Sequence, residues 1–129
     1  MFGTFQQSHL RIELDAPAKV IGDSLLRPSQ LRQWMLAQRL ETGLPEPLHF
    51  GLTFTNWLGP VPVQHYVQLA DGNALRLLLS KGIDGYHEWS WGEGWVQSRL
   101  EGISLLPLSL GHSASLMRLR DFVEGQAKF

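Results

Sequence analysis

The segment from Leu48 to Leu106 alternates between apolar and polar residues, and short turn sequences divide it into about five strands. Alternation with a period of two is typical of a strand that buries one face. The dividing sequences are rich in Gly, Pro, Asp and Asn, which favour tight turns: Gly59-Pro60, Asp71-Gly72-Asn73, Gly82-Ile83-Asp84-Gly85 and Gly92-Glu93-Gly94. The pattern therefore predicts an antiparallel meander whose first strand covers 48–55.

The residues before the meander predict one strand followed by two short helices. Apolar and polar residues alternate over 8–15, as in a half-buried strand. Pro17 then fits the first turn of a helix that runs to about Leu26. Pro28 begins a second helix, and the spacing of its apolar residues extends it to Thr42-Gly43, where glycine favours a helix end.

The residues after the meander change from strand periodicity to helix periodicity. Apolar side chains recur there at helical spacing: Leu116, Leu119, Phe122 and Val123. The expected helix is amphipathic, begins between Ser109 and Ser113, and ends near Gly125. This period argues against a ten-strand lipid-binding barrel, which has a similar length and two helices after its first strand but ends in a strand.

A single antiparallel sheet has to cover its apolar face, and the C-terminal helix is the long element available to do so. The sequence therefore predicts an α+β fold in one domain over 1–129. It has a curved antiparallel sheet of about six strands, two short helices after the first strand, and a long C-terminal helix across the concave face. A strongly twisted sheet wrapped around a helix leaves a wedge-shaped gap, which is a natural apolar cavity.

Charge and composition exclude several classes of function. Eleven Lys and Arg against twelve Asp and Glu give a net charge of −1, which argues against a nucleic-acid-binding protein. The chain has no cysteine, so disulfides, thiolate catalysis and cysteine-based metal sites are excluded. The N-terminus lacks the features of a signal peptide, and no stretch approaches the roughly 20 apolar residues that span a bilayer. We therefore expect a cytoplasmic location without stable membrane insertion.

Two histidines share strand faces with apolar residues. His65 lies on the face of Val63 and Val67 and is expected to point inward. His87 lies on the face of Trp89 and Trp91 and points inward if these aromatics line the core, while alternation leaves open whether they occupy the concave or the convex side. A buried imidazole needs a hydrogen-bond partner or a pocket containing water. Each histidine is therefore either a polar anchor or acid/base group for a ligand, or a neutral core residue bonded to a backbone carbonyl or to Ser98. The expected ligand-binding residues are these histidines and their neighbours on the same sheet face: His65, His87, Trp89, Trp91, Val63, Val67, Leu77, Leu79, Ser98 and Leu100.

The familiar catalytic, phosphate-binding and metal-binding motifs are missing, so no catalytic residue, metal or cofactor is expected. Convergence of His65, His87 and His112 on a metal ion is the weakest alternative, because no pair of them has a diagnostic ligand spacing.

The segment 10–20, LRIELDAPAKV, resembles the opening of the SRPBCC superfamily, the START-like or helix-grip proteins with polyketide cyclase relatives. In that family the first strand runs through an Ala-Pro pair into a short helix. The segment 28–34 is similar to the family's Pro-x-x-Leu-x-x-Trp helix, although Arg27 stands where an Asp or Asn cap is common. The segment 116–123 matches the closing helix in period and position.

The resemblance implies a cavity between the sheet and the closing helix that often holds lipids, sterols, polyketides or quinones. Some relatives are cyclases or dehydratases, and no functional residue carries over by motif. The expected function is binding of a small hydrophobic molecule, lipid-, polyketide- or quinone-like, without catalysis. The alternatives are a cyclase- or dehydratase-type enzyme that uses the cavity histidines, and an interaction or structural domain whose cavity is filled by side chains. A homodimer is compatible with the sequence.

Overall fold

A computed structural model of the chain describes residues 3–35 and 38–127. Within this part the chain forms seven strands and three helices: β1 (Thr4–Glu13), α1 (Ala18–Leu26), α2 (Pro28–Trp34), β2 (Gln38–Leu40), β3 (Thr53–Leu58), β4 (Val61–Ala70), β5 (Ala74–Lys81), β6 (Asp84–Gly92), β7 (Trp95–Ser104) and α3 (Leu108–Ala127). The strands form one sheet in the order β1-β7-β6-β5-β4-β3-β2, and every neighbouring pair is antiparallel. The predicted α+β helix-grip architecture is confirmed.

The position of α3 explains why the sheet encloses a hollow. Its apolar stripe is buried, with Leu116 2% exposed and both Leu119 and Val123 at 0%. The helix packs chiefly on β1 and β7 and on the two short helices. The central strands β4 and β5 make no comparably extensive contact with it, so space remains between these strands and α3. Because the segment after β7 is the helix α3 and the described residues form seven strands, the ten-strand barrel is excluded.

The second short helix ends at Trp34, so the predicted extension to Thr42-Gly43 is wrong. Gln38–Leu40 instead forms an edge strand, with Gln38 opposite Leu58 and Leu40 opposite Asn56. This pairing buries Leu40, and the tertiary contact outweighs the helical spacing of the local sequence. The sheet consequently has seven strands, one more than expected. Residues 36–37 of the predicted helix lie outside the described residues.

The first strand of the meander begins at Thr53, five residues after the predicted start at Leu48. Gly51 has a φ of +89°, which interrupts an extended backbone, and Phe50 is exposed. The backbone N–H of Leu48 donates to the carbonyl of Leu26 and thereby ties this loop to the end of α1.

The C-terminal helix begins at Leu108, one residue before the predicted range, and continues past Gly125 to Ala127. Leu108 is buried, and its backbone N–H donates to Oε1 of Gln6 on β1 at 3.0 Å. This side chain from a distant strand satisfies one of the free N–H groups at the helix start, so local sequence does not determine the boundary. Of the helices in the described part of the chain, none is both long enough and apolar enough to cross a bilayer.

Candidate functional site

The hollow under α3 consists of two chambers. The outer chamber has a volume of about 330 Å³ and lies between the first half of α3 and strands β3–β7. The inner chamber has a volume of about 80 Å³ and extends toward α1 and α2. Apolar side chains dominate both walls. The outer wall includes Val63, Leu79, Ile83, Leu100 and Leu108, and the inner wall includes Leu25, Trp34, Phe54, Leu77 and Trp89.

All five residues that line both chambers are polar: Gln38, Asn56, His65, His87 and Ser115. We call this group the polar collar. Its members come from β2, β3, β4, β6 and α3, so the fold brings together positions that are far apart in the sequence. A polar group at the junction of two apolar spaces is the arrangement expected where a ligand is oriented.

His65 is held on the concave face of β4 by two contacts. Its ring stacks on Phe54 of β3, with centroids 4.9 Å apart and planes inclined by 6°. Its Nδ1 lies 3.1 Å from the carbonyl oxygen of Val63. Nε2 has no hydrogen-bond partner among the described residues and borders the chambers. One side of this ring is therefore fixed by the protein, and the other is available to a ligand.

His87 and His112 are joined through one serine hydroxyl. Oγ of Ser98 lies 3.1 Å from Nε2 of His87 and 2.8 Å from Nε2 of His112, while Oγ of Ser8 lies 2.8 Å from Nδ1 of His112. A hydroxyl has one proton and donates to one ring at a time, so at least one of the two rings donates to Ser98. His87 also packs on Trp89, with ring centroids 4.7 Å apart. Nδ1 of His87 has no partner among the described residues.

The three inward histidines are neutral at ordinary pH. Burial in apolar surroundings lowers the pKa of His65 to about 4, although the contact with the Val63 carbonyl acts in the opposite direction. Burial also lowers the pKa of His112 to about 4. For His87, burial and the neighbouring imidazoles lower the pKa well below 6.5. Neutral rings offer one donor and one acceptor each.

The two chambers contain no formal charge. Among the described residues that line them, none is Asp, Glu, Lys or Arg. The described part of the chain also has no group of three or more His, Asp or Glu side chains placed to hold a metal ion. The chemistry of this site is therefore that of neutral hydrogen-bonding groups in apolar surroundings.

The outer chamber opens to the surface beside α3. A groove there shares residues with the outer chamber, and Gly59 and Arg118 complete its wall. Small residues of α3, Gly111 and Ala114, line this opening. Nε of Arg118 donates to the carbonyl oxygen of Trp34 at 3.2 Å, which leaves the guanidinium at the mouth, outside the chambers.

Seven of the ten residues expected from the sequence line the chambers: His65, His87, Trp89, Val63, Leu77, Leu79 and Leu100. The other three, Val67, Trp91 and Ser98, lie outside the two linings. Val67 is fully buried in the core, and Trp91 packs beneath α1 beside Gly22. Ser98 lies behind His87 and holds its ring.

Three residues of the collar were not predicted from the sequence: Gln38, Asn56 and Ser115. His112, which the sequence suggested only as a third metal ligand, lines the outer chamber. Asn56 continues the alternation of Phe54 and faces the same side of β3, so a signal for it was present. His112 precedes Leu116 by one helical turn and falls on the buried stripe, which is also readable from the sequence. Gln38 had no such signal, because its segment has helical spacing.

No family model matches the sequence, and no curated protein is significantly similar to it. Solved structures are similar in fold. Protein CV1439 from Chromobacterium violaceum has a TM-score of 0.73 at 18% identity, over 92% of this chain and 97% of that one. The Aha1 dimer from Colwellia psychrerythraea has a TM-score of 0.67 at 13% identity, over 92% and 96%.

DynU16, a protein of the dynemicin biosynthetic locus, has a TM-score of 0.69 at 16% identity and is matched over 94% of this chain. This chain spans 48% of the DynU16 chain. DynU16 and the Aha1 protein have SRPBCC-type, polyketide cyclase-like folds. The chain therefore shares the helix-grip fold of these structures. At these sequence identities the similarity concerns the helix-grip fold alone.

Proposed function

We propose that this helix-grip protein binds a small hydrophobic molecule, lipid-, polyketide- or quinone-like, in the two chambers beneath α3. The observation that carries the proposal is the polar collar inside an otherwise apolar hollow. A volume of about 330 Å³ in the outer chamber lies at the lower end of the range for small-molecule sites, about 300–1,000 Å³. A domain whose interior only had to pack would fill such a space, since cavities lower stability.

A cyclase- or dehydratase-type reaction is the second candidate, because unpaired nitrogens of His65 and His87 belong to the same collar. Neutral imidazoles are competent bases for a carbonyl-containing substrate. Such a reaction also needs a proton donor, however, and a pKa of about 4 leaves His65 unprotonated near neutral pH. Binding without catalysis is therefore the simpler function for this set of groups.

We propose a cytoplasmic location for this protein. We also propose that it forms a homodimer, by comparison with the Aha1 protein, whose structure was solved as a dimer. Sedimentation velocity at micromolar concentration measures the assembly state. A dimer mass supports this part, and a monomer mass at all concentrations removes it without affecting ligand binding.

Native mass spectrometry of the protein purified from its own source tests the binding function. The wild type should carry a co-purifying apolar molecule that dissociates on collisional activation. Leu79→Trp should reduce the bound fraction strongly, because Leu79 is 6% exposed and its side chain lines the outer chamber. Leu78→Trp is the matched control, since Leu78 is the preceding residue on the outer face of β5 and is 37% exposed. Equal occupancy in the two variants would contradict binding in this hollow.

A further inference from the structure

His65 presents a hydrogen-bond acceptor to the chambers, because a contact within the protein fixes which ring nitrogen carries the proton. A carbonyl oxygen only accepts hydrogen bonds, so Nδ1 of His65 carries the proton that is donated to the Val63 carbonyl. The ring is neutral, and its lone pair therefore lies on Nε2. That atom borders the chambers and has no partner among the described residues. A ligand that reaches His65 meets an acceptor that lacks a donor.

Asn56 provides a second unmatched acceptor in the collar. Nδ2 of Asn56 donates to Oε1 of Gln38, which leaves Oδ1 buried with no partner among the described residues. Asn56 is 4% exposed and lines both chambers. An unpaired buried acceptor lowers stability unless a ligand or water supplies a donor.

His87 adapts to either kind of partner. If Ser98 donates to Nε2 of His87, then Nδ1 carries the proton and donates to the ligand. If Nε2 of His87 donates to Ser98, then Nδ1 accepts. The hydroxyl of Ser98 also meets His112, so the choice is made by the arrangement of protons in the buried network. His87 thus sets no requirement of its own. Nε2 of Gln38 and the hydroxyl of Ser115 are donors, but both residues are half-buried and water at the mouth can satisfy them. The need for a donor on the ligand therefore rests on the two buried members of the collar, His65 and Asn56.

The absence of charged side chains from the described chamber walls restricts the ligand in a second, independent way. The chamber walls formed by the described residues contain no cation, and Arg118 stands at the mouth. A carboxylate at the collar would lose its hydration and face the lone pair of His65 with no positive charge to balance it. A quinone carbonyl is uncharged, but it brings a further acceptor and cannot supply the donor that His65 and Asn56 lack.

We infer that the ligand is uncharged and presents a hydrogen-bond donor to the collar, as the hydroxyl of a phenol, an alcohol or a hydroquinone does. Ionised fatty acids and quinones are then poor ligands. This inference rests on the proposed function and narrows its three ligand classes to their hydroxylated members.

Four probes with one carbon frame test it: 2-naphthol, 2-methoxynaphthalene, naphthalene and 2-naphthoate. Their dissociation constants are measured at pH 7.5 by quenching of the tryptophan fluorescence. 2-Naphthol should bind about tenfold more tightly than 2-methoxynaphthalene, because it alone among the neutral probes donates a hydrogen bond. 2-Naphthoate should bind more weakly than naphthalene.

The variant His65→Phe removes the acceptor and retains a ring to stack on Phe54. The tenfold preference for 2-naphthol should fall to about twofold or less, while naphthalene binds as in the wild type and thereby reports an intact chamber. Asn56→Leu should reduce the same preference by a smaller factor.

Different results overturn the donor requirement and the proposed binding function. If the neutral probes bind with equal constants, the inference is overturned and the proposed function stands. If 2-naphthoate binds as tightly as 2-naphthol, the inference is overturned as well, and loss of that binding in Arg118→Gln would place the carboxylate at the mouth. If none of the four probes binds at millimolar concentration, the proposed function is overturned together with the inference.

Discussion

Replacing His65 by phenylalanine should make the stability of the protein less dependent on pH. His65 is 9% exposed, and burial lowers its pKa to about 4, whereas a histidine in an unfolded chain has a pKa of about 6.5. Between these two values the unfolded chain binds the extra proton and the folded protein does not. The free energy of unfolding therefore falls as the pH falls from about 6.5 toward 4, and the loss from this residue is complete below about pH 4.

The size of this effect follows from the two pKa values. Each tenfold difference in proton affinity corresponds to about 1.4 kcal/mol, so the full difference of about 2.5 pKa units is worth about 3 kcal/mol. Between pH 7 and pH 5 the loss attributable to His65 is about 2 kcal/mol. That is a large part of the 5–15 kcal/mol typical of a folded domain, and His112 adds a loss of the same sign.

Urea unfolding followed by tryptophan fluorescence at pH 7, 6 and 5 measures the effect. The wild-type free energy of unfolding should fall steeply over this range, and the fall in His65→Phe should be smaller by about 2 kcal/mol. His49→Phe is the control, because His49 is exposed in the loop before β3, and it should keep the wild-type pH dependence. An identical pH dependence in His65→Phe and the wild type would show that His65 is not held neutral by burial.

Two further substitutions test the support of the site. Ser98→Ala removes the hydroxyl that contacts both His87 and His112. The free energy of unfolding in urea should fall by about 1–3 kcal/mol, against less than about 0.5 kcal/mol for the exposed control Ser80→Ala. Equal losses in the two variants would refute the shared hydrogen bond. Gly85→Ala would place a Cβ 1.9 Å from the carbonyl oxygen of Glu101, so the β6–β7 pairing must shift and stability should fall by at least about 3 kcal/mol. Gly72→Ala, where a Cβ meets no atom within 4 Å, is its control, and similar melting temperatures for the two variants would contradict the close approach.

The elements that the sequence predicted well are those whose burial follows a single period. Alternation on β4 predicted the inward direction of His65, alternation on β6 grouped His87 with Trp89, and the helical stripe with Leu116 and Leu119 predicted α3 across the concave face. In these segments the local pattern and the tertiary contacts favour the same structure, so the pattern alone predicts which residues are buried.

The parts that could not be predicted depend on contacts between distant segments. Gln38 lies in a stretch with helical spacing, but pairing with β3 makes it a strand residue and a member of the collar. The start of α3 depends on Gln6, a side chain about one hundred residues earlier in the sequence. Whether Ser98 faces a ligand or supports His87 depends on where the imidazole ring lies, and alternation gives only the face of the sheet.

Isotope-filtered NOE spectroscopy tests most directly whether a ligand binds in the hollow beneath α3. The experiment uses methyl-labelled protein and whichever of the four naphthalene probes binds most tightly. NOEs are expected from the probe to the methyl groups of Leu79, Val63 and Leu100, which line the outer chamber. The methyl groups of Leu78, on the opposite face of the same strand, should show none. NOEs confined to Leu78 and other residues of the outer face would mean that apolar molecules bind the surface of the sheet, and would contradict a ligand site beneath α3.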